Sequence, residues 1–245
     1  MNKFSRHILT AGALILGVSL STPVLANSAD DALLTAGEQQ LWRFKVSLDK
    51  RKIGYHDFLV THQGQQRTVE ISADFDVKIL FVNAYSYDHE NLEIWKNGCL
   101  QHIESATDDN GDLLKVFGET VTDGFTVATN ADSPRTIGSS CVRSFAYWNP
   151  DFLDSSQLLN SQTGEIVDVT ILGMGEDTLL VNDQPVPSLR YEIEMEEGPI
   201  TLWYTRDSKQ WLALEAAAAG GRTLRYEPVQ LPFSVEADNV RLASR

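Results

Sequence analysis

Apolar and polar residues alternate along much of this chain. The clearest case is the segment 68–79, where every second residue is apolar and the residues between are polar. The apolar series is Val69, Ile71, Ala73, Phe75, Val77 and Ile79, continued by Phe81. Successive side chains of a β-strand point to opposite faces, so this period predicts a long strand with one buried face. The same period recurs at Trp42, Phe44, Val46 and Leu48, and at Leu189, Tyr191, Ile193 and Met195.

Turn-forming residues divide the rest of the chain into short strand-like segments. Asn97-Gly98 and Gly220-Gly221 are typical of tight turns, and residues 207–209 are predicted to join the two strands of a hairpin. Further strands are predicted at 55–61, 83–88, 91–96, 99–106, 113–118, 124–130, 165–172, 178–182 and 222–227. The triplet Asp88-His89-Glu90 is predicted to cap a turn before the strand at 91–96.

One helix is predicted in the body of the chain, at 150–159. Asn149-Pro150-Asp151 opens it and places proline at the first helical position. Many short antiparallel strands with few helices predict a mainly-β fold. We expect a single curved antiparallel meander, an incomplete β-barrel or half-barrel with one or two short helices, over residues 41–231. Residues 27–40 are predicted to be a short helix or a loose segment, and residues 232–245 a loosely structured tail.

The first 26 residues have the order of a secretory signal peptide. Lys3 and Arg6 precede an apolar run of about 13 residues, which is short against the roughly 20 that span a bilayer, and small residues follow up to Ala26. Cleavage after Ala26 is therefore expected, with a periplasmic location and no transmembrane span in the mature chain. The net charge of −14 disfavours nucleic acid and anionic membrane surfaces as partners.

Cys99 and Cys141 are the two cysteines of the chain. In an oxidising compartment two cysteines most simply form a disulfide, here closing a loop of about 40 residues, for which the chain-entropy model gives roughly 4 kcal/mol. The alternative is two separate buried thiols. A redox-active pair is disfavoured because there is no CxxC motif.

Motifs for metal binding or catalysis are weak. The histidines after the signal segment, His56, His62, His89 and His102, lie in no ligand spacing, and the TDDNGD segment at 107–112 lacks the acid spacing of a calcium loop. A nucleophilic Cys141 with His102 as base would need an exposed thiolate, which a disulfide excludes. We therefore predict no metal, no cofactor and no catalytic residue.

The stretch CVRSFAYWNPDF at 141–152 concentrates aromatic rings where a strand breaks. Such rings plug one end of a sheet or line its opening, and a plug is favoured over a pocket. If a pocket exists, the candidate ligand-binding residues are Trp95, Phe145, Tyr147, Trp148 and Trp203. Arg143 is predicted to lie on the polar face of this strand, where a charged side chain requires no functional role.

Several segments together resemble a family of secreted bacterial proteins of unknown function. They are the Ile-Gly at 53–54, EIWKNGCL, ESATDDNG, SFAYWNP and the late Trp-Tyr hairpin, spread over about 41–227. The resemblance implies a periplasmic β-sheet domain and carries no activity or catalytic residues. In architecture only, the predicted sheet is similar to half-open lipoprotein carriers, although fold does not imply function.

Three functions remain open at this point. The first is non-enzymatic binding of a lipid or other apolar ligand in the concavity of the sheet, in maintenance of the cell envelope. The second is an envelope interaction or assembly module with a filled core, which would bind a protein partner. The third, less favoured, is a hydrolase.

Overall fold

The computed structural model describes residues 37–79 and 82–233. The expected signal peptide and most of the 27–40 segment lie outside the described residues, as does the tail beyond 233. Strands run from β1, which begins at Glu38, to β15, which ends at Gln230. No helix in the described ranges is long and apolar enough to cross a membrane.

Fifteen strands and one short 3-10 helix make up this part of the chain. The strands are β1 (Glu38–Leu48), β2 (Arg51–Gln63), β3 (Gln66–Ile79), β4 (Val82–Lys96), β5 (Cys99–Asp109), β6 (Asp112–Val121), β7 (Gly124–Thr129), β8 (Arg135–Ile137), β9 (Gln157–Leu159), β10 (Ile166–Asp168), β11 (Thr170–Val181), β12 (Gln184–Glu194), β13 (Ile200–Thr205), β14 (Trp211–Ala218) and β15 (Arg222–Gln230). The 3-10 helix is Pro150–Asp154.

Thirteen of these strands form one antiparallel sheet. One arm is the meander from β1 to β8, the other runs from β11 to β15, and β15 pairs with β1 to join them. The described sheet is curved and is not closed into a barrel, because β8 and β11 are its two edges and do not pair with each other. This confirms the predicted mainly-β, incomplete-barrel fold.

The main hydrophobic core lies on one face of this sheet, here called the inner face. As predicted, Val69, Ile71, Ala73, Phe75 and Val77 of β3 are buried on it. The chain between the two arms, residues 138–169, contains the 3-10 helix and the β9–β10 hairpin and is here called the plug. Its buried residues join the same core cluster: Val142, Ala146, Trp148, Phe152, Leu158, Leu159 and Val169.

The structure corrects two details of the strand and turn prediction. The segments 83–88 and 91–96 are one continuous strand, β4, so Asp88-His89-Glu90 lies in mid-strand and caps no turn. The segment 165–172 is divided between β10 and the start of β11, and 178–182 is the end of that same β11, which continues through a bulge at Gly173–Gly175. In both cases cross-strand pairing overrides a locally polar or glycine-rich stretch.

The predicted helix at 150–159 is also too long. Asn149 caps it and proline stands in its first turn, but the helical turn ends at Asp154. Residues 157–159 instead pair with β10. Leu158 and Leu159 have no exposed surface there, because the hairpin buries both of them.

A second cluster covers the outer face at β13 and β14. It consists of Leu179, Val181, Val186, Trp203, Leu212 and Ala213, and it is here called the outer cluster. The tip of the β11–β12 hairpin supplies the first three of these side chains. Strands β13 and β14 are therefore buried on both faces, which explains the nearly continuous apolar run in their sequences.

Candidate functional site

Strand β4 presents polar and aromatic side chains to the inner face. Its odd-numbered residues from 87 to 95 point inward, and Tyr87, His89, Asn91, Glu93 and Trp95 are each at most 9% exposed. The even-numbered Leu92 and Ile94 are half-buried on the other face. Polar residues thus occupy positions where a one-sided strand normally buries aliphatic ones. Such an exception to the general rule marks β4 as the candidate functional strand.

Six of the seven tyrosines belong to the inner core or pack against it, namely Tyr85, Tyr87, Tyr147, Tyr191, Tyr204 and Tyr226. The remaining tyrosine, Tyr55, is exposed on the outer face under the ammonium group of Lys52. Burial raises the pKa of the Tyr87, Tyr147 and Tyr226 hydroxyls well above 10, so these groups stay neutral. Neutral hydroxyls can both donate and accept hydrogen bonds inside the sheet.

Aromatic and imidazole rings form a continuous series across the inner face, here called the ring series. Successive ring centroids are 4.2–6.1 Å apart. In order the members are Tyr147, Trp211, Phe44, Tyr226, His56, Phe75, Tyr87 and His89. Tyr147 comes from the plug and the others from the two arms of the sheet. The series therefore links the plug to β4 through aromatic contacts of 0.5–1.5 kcal/mol each by order of magnitude.

Two histidines lie within this series. The strand register pairs His56 with Ala73 and Ala73 with His89, so the two imidazoles occupy one row with alanine between them. His56 Nδ1 lies 3.1 Å from the hydroxyl of Tyr226, and His89 Nδ1 lies 2.8 Å from that of Thr107.

Both histidines are neutral at ordinary pH. Burial lowers the pKa of His56 to about 3, with a smaller contribution from the charge of the nearby His89. Burial alone lowers the pKa of His89 to about 4. Among the described residues, no group bonds the buried Nε2 of His56. This nitrogen is thus a buried hydrogen-bonding atom inside the sheet for which the described residues supply no partner.

Glu93 connects β4 to the plug. Its carboxylate, in a residue only 1% exposed, accepts hydrogen bonds from Asn91, from the Trp95 indole and from the Ser144 hydroxyl of the plug. Burial raises the pKa of Glu93, and the three hydrogen bonds oppose that rise. Every donor comes from the protein itself, so Glu93 is suited to anchoring the plug rather than to catalysis.

The structure separates the five predicted ligand-binding aromatics into three places. Trp95 and Trp148 pack edge to face at 5.7 Å at the base of the plug, where the Arg67 guanidinium lies over the Trp148 ring. Tyr147 is the first member of the ring series, and Phe145 lies beside it at a centroid distance of 6.3 Å.

Trp203 lies apart from the other four predicted residues. It belongs to the outer cluster on the opposite face of the sheet, where its indole donates to Asp177 at 2.9 Å. It therefore lines no common pocket with Phe145 and Tyr147.

Cys99 and Cys141 form a disulfide with a Cα–Cα distance of 4.9 Å. It ties the start of β5 to the start of the plug, where Leu100 also donates a backbone hydrogen bond to Val142. Arg143, for which the sequence indicated no role, donates to the Gly98 carbonyl and to Ser155. These contacts hold the plug to the 97–98 turn.

Sequence reasoning missed His56, His89, Tyr87 and Tyr226. The sequence predicted two strands, at 83–88 and 91–96, where the structure has the single strand β4. The inward series of alternate residues in β4 is recognisable only when the strand is continuous. The described residues contain no group of three or more His, Cys, Asp or Glu side chains placed to hold a metal ion.

A groove of about 530 Å³ lies on the outer face between the β11–β12 tip and β15. Its two cationic side chains are already paired, Lys45 with Glu227 and Arg225 with Glu215. We therefore place the candidate site on the inner face.

Comparison with known proteins gives a family and a fold. A family model described as "Domain of unknown function (DUF6134)" matches residues 44–229. A solved structure, the beta-barrel-like protein of domain of unknown function DUF1849 from Brucella abortus, is similar with a TM-score of 0.57 and 9% identity, over 81% of this chain and 98% of that one. No curated protein matches this sequence. At 9% identity the structural likeness supports the β-barrel-like fold alone.

Proposed function

This chain belongs to the DUF6134 family, which has no assigned function, and we propose that it is a non-enzymatic binding protein for an apolar or amphiphilic small molecule. The ligand would lie on the inner face of the curved sheet, against the ring series. The observation that carries this proposal is the inward row of β4, where Tyr85, Tyr87 and His89 replace the aliphatic residues of an ordinary core. Binding sites combine such apolar rings with a few polar groups.

Residual exposure inside the sheet supports the same proposal. The residues Phe75, Tyr87 and Tyr226 are 7–9% exposed to solvent. In contrast, Phe44, Val60 and Val69 are fully buried. The plug contacts β4 at Glu93 and Trp95, at the opposite end of that strand from Tyr85 and Tyr87. The end of the inner face near Tyr85 and Tyr87 is the part we assign to the ligand.

A periplasmic location is part of the proposal. It is supported by the signal-like order of the first 26 residues and by the disulfide, which persists in oxidising compartments. Edman sequencing of the protein from a periplasmic extract is expected to begin at Asn27. An intact N-terminus on protein found in the cytoplasm would contradict this location.

Fluorescence of the neutral apolar probe N-phenyl-1-naphthylamine tests the binding proposal. We expect enhancement with the wild-type protein and at least tenfold weaker binding by Ala73→Leu, which fills the row between the histidines. Ala106→Leu makes the same change on the exposed face of β5 and should bind as the wild type does. Native mass spectrometry of gently purified protein should show added mass. No enhancement with the wild-type protein, together with a ligand-free mass, would overturn the proposal.

A second candidate, protein–protein interaction, is favoured by edge strand β11. Among the described residues no strand pairs with its free edge, and Leu172, Met174 and Leu180 are 40–68% exposed. Exposed edges of this kind accept an additional strand from a partner. Met174→Lys would then abolish co-purification of a partner while leaving probe binding unchanged.

A further inference from the structure

Strand β11 is a long edge strand with little protection against pairing with another chain. It has 12 residues, whereas β8, the other edge of the sheet, has 3 and is tied to the plug by a hydrogen bond from Arg135 to the Gly164 carbonyl. Natural sheets blunt their edges with short strands, lysine or proline. The sequence of β11, TILGMGEDTLLV, contains no lysine, arginine or proline, so only its bulge and its acidic residues act against pairing.

The middle of β11 is exposed on both faces. All residues from 172 to 177 are exposed, among them the apolar Leu172 at 40% and Met174 at 43%. Towards the ends of the strand, Ile171 packs against the inner core and Leu179 belongs to the outer cluster. Alternate residues of an edge strand direct their N–H and C=O groups away from the sheet. An added strand would therefore cover apolar side chains as well as backbone groups at this position.

The β11–β12 hairpin and the turn that follows it are strongly acidic. Residues 170–200 include seven acidic residues and one basic residue, Arg190, which gives a net charge of −6. The acidic residues are Glu176, Asp177, Asp183, Glu192, Glu194, Glu196 and Glu197. Within the described ranges none of these glutamates forms an ion pair. The strand register places Glu192 opposite Leu172 and Glu194 opposite Thr170, so this negative charge lies beside the exposed edge.

These charges determine which partner the edge can accept. Pairing of β11 with β11 of a second copy would bring together two hairpins that each carry −6, on chains that each carry −14. Like charges on adjacent strands are destabilising, so a second copy is disfavoured. A basic partner is instead attracted to the edge, and acidic chains are repelled from it.

We propose that the free edge of β11 binds an extended segment of a protein partner in which lysine or arginine is interspersed with apolar residues. This inference rests on the second candidate function, protein–protein interaction at β11, and gives the partner its chemistry. The added strand would hydrogen bond to the backbone of β11. Its apolar side chains would cover Leu172 and Met174, and its cations would lie near Glu176 and Glu192.

Fluorescence anisotropy with a labelled nine-residue peptide tests this inference. The peptide begins with two arginines, which antiparallel pairing places near Glu176 and Asp177, and continues with alternating valine and threonine. We expect it to bind the wild-type protein. Replacing both arginines by glutamate should weaken binding at least tenfold. Replacing two threonines by proline should have an effect of the same size, because proline lacks the N–H that pairs with a neighbouring strand.

Two charge-reversal variants localise the interaction. Glu176→Lys reverses a charge at the edge and should weaken peptide binding at least fivefold. Glu119→Lys makes the same change at an exposed position of β6, which is paired on both sides, and should alter binding less than twofold. Met174→Lys should weaken binding at least tenfold, since it removes apolar surface and adds a like charge. Circular dichroism and the melting temperature confirm folding of each variant.

The outcomes separate the partner's chemistry from the interaction itself. Equal binding of the arginine and glutamate peptides would overturn the selection of a basic segment and leave β11 as an interaction edge. A wild-type dimer in sedimentation that Met174→Lys dissociates would replace the basic partner by a second copy. If none of the peptides bound, or if binding were unchanged in Glu176→Lys and Met174→Lys, the second candidate function would fall as well. Binding of N-phenyl-1-naphthylamine tests the inner face independently of all these results.

Discussion

The Ser144 hydroxyl donates a 2.9 Å hydrogen bond to Oε1 of Glu93, although 51 residues separate the two along the chain. Ser144 is 2% exposed and Glu93 1%, so the bond lies in the core between the plug and β4. A buried carboxylate is tolerated only when donors surround it. This contact is therefore the polar anchor that holds the plug against the sheet.

Removing this anchor should destabilise the protein without unfolding it. We expect Ser144→Ala to lower the free energy of unfolding by about 1–3 kcal/mol, since Glu93 loses one of three donors while staying buried. Urea unfolding followed by tryptophan fluorescence measures the change. Ser140→Ala, an exposed serine in the same plug, is the control and should stay within about 0.5 kcal/mol of the wild type. Equal stability of the two variants would contradict the role given to Glu93.

The disulfide should stabilise the plug more than any single hydrogen bond does. Replacing Cys99 and Cys141 by serine opens a loop with a sequence separation of 42, for which chain entropy predicts a loss of roughly 4 kcal/mol as an upper value. A melting curve of the double variant, compared with the wild type with and without reductant, tests this. Reductant should lower the melting temperature of the wild type and leave that of the variant unchanged. Alkylation of two thiols in the native, unreduced protein would show that the bond does not form.

Stability should fall in mild acid because of the two inner histidines. Their folded-state pKa values, about 3 for His56 and about 4 for His89, lie below the ordinary 6.5, so protons bind the unfolded state more readily. The stabilisation is fully present above pH 6.5 and is lost as pH falls from there toward the folded values. Each pKa unit is about 1.4 kcal/mol, so the loss by pH 4 is on the order of a few kcal/mol.

Urea midpoints between pH 7.5 and 4 measure this dependence. His89→Gln should flatten the slope because the amide does not titrate. Glu93, whose pKa is raised, contributes in the opposite direction as it takes up its proton. A slope that is unchanged in His89→Gln would show that His89 titrates normally in the folded protein.

Trp203 should matter for stability and not for ligand binding. Trp203→Phe removes the indole N–H that bonds Asp177 and part of a ring that the outer cluster buries, so we expect a loss of about 1–2 kcal/mol in unfolding free energy. Binding of N-phenyl-1-naphthylamine should be unchanged, because the ring lies on the other face of the sheet. Tyr87→Leu, in the ring series at the end assigned to the ligand, provides the contrast and should weaken binding of the probe. If the folded Trp203→Phe variant lost probe binding, Trp203 would contribute to the ligand site and this prediction would be wrong.

Strand existence was predictable where one face is apolar and the other polar. The period of two in β3 identified its buried residues, and the Asn97-Gly98 turn was recognisable because both residues adopt positive φ. The continuity of β4 was not predictable in the same way. Asp88-His89-Glu90 resembles a turn locally, and only pairing with β3 and β5 keeps it extended.

The candidate site escaped prediction because its residues are dispersed in sequence. His56 and Tyr226 lie 170 residues apart and meet only because β15 pairs with β1. The aromatic-rich stretch at 141–152 was predicted to plug the sheet or line its opening, and its Phe145 and Tyr147 pack against the inner core. Trp203 was grouped with them by residue type, although alternation along β13 places it on the face opposite to Leu202 and Tyr204.

The amino-acid sequence alone determined the class of fold, the alternation of buried and exposed faces and the order of most strands. These follow from local rules, since side chains alternate on a strand and Gly, Asn and Asp permit tight turns. Only the tertiary structure decided which strands become neighbours, and hence that two distant histidines flank one alanine inside the sheet. Cross-strand register is set by the packing of the whole curved sheet, so the chemistry of its inner face depends on contacts that no local segment contains.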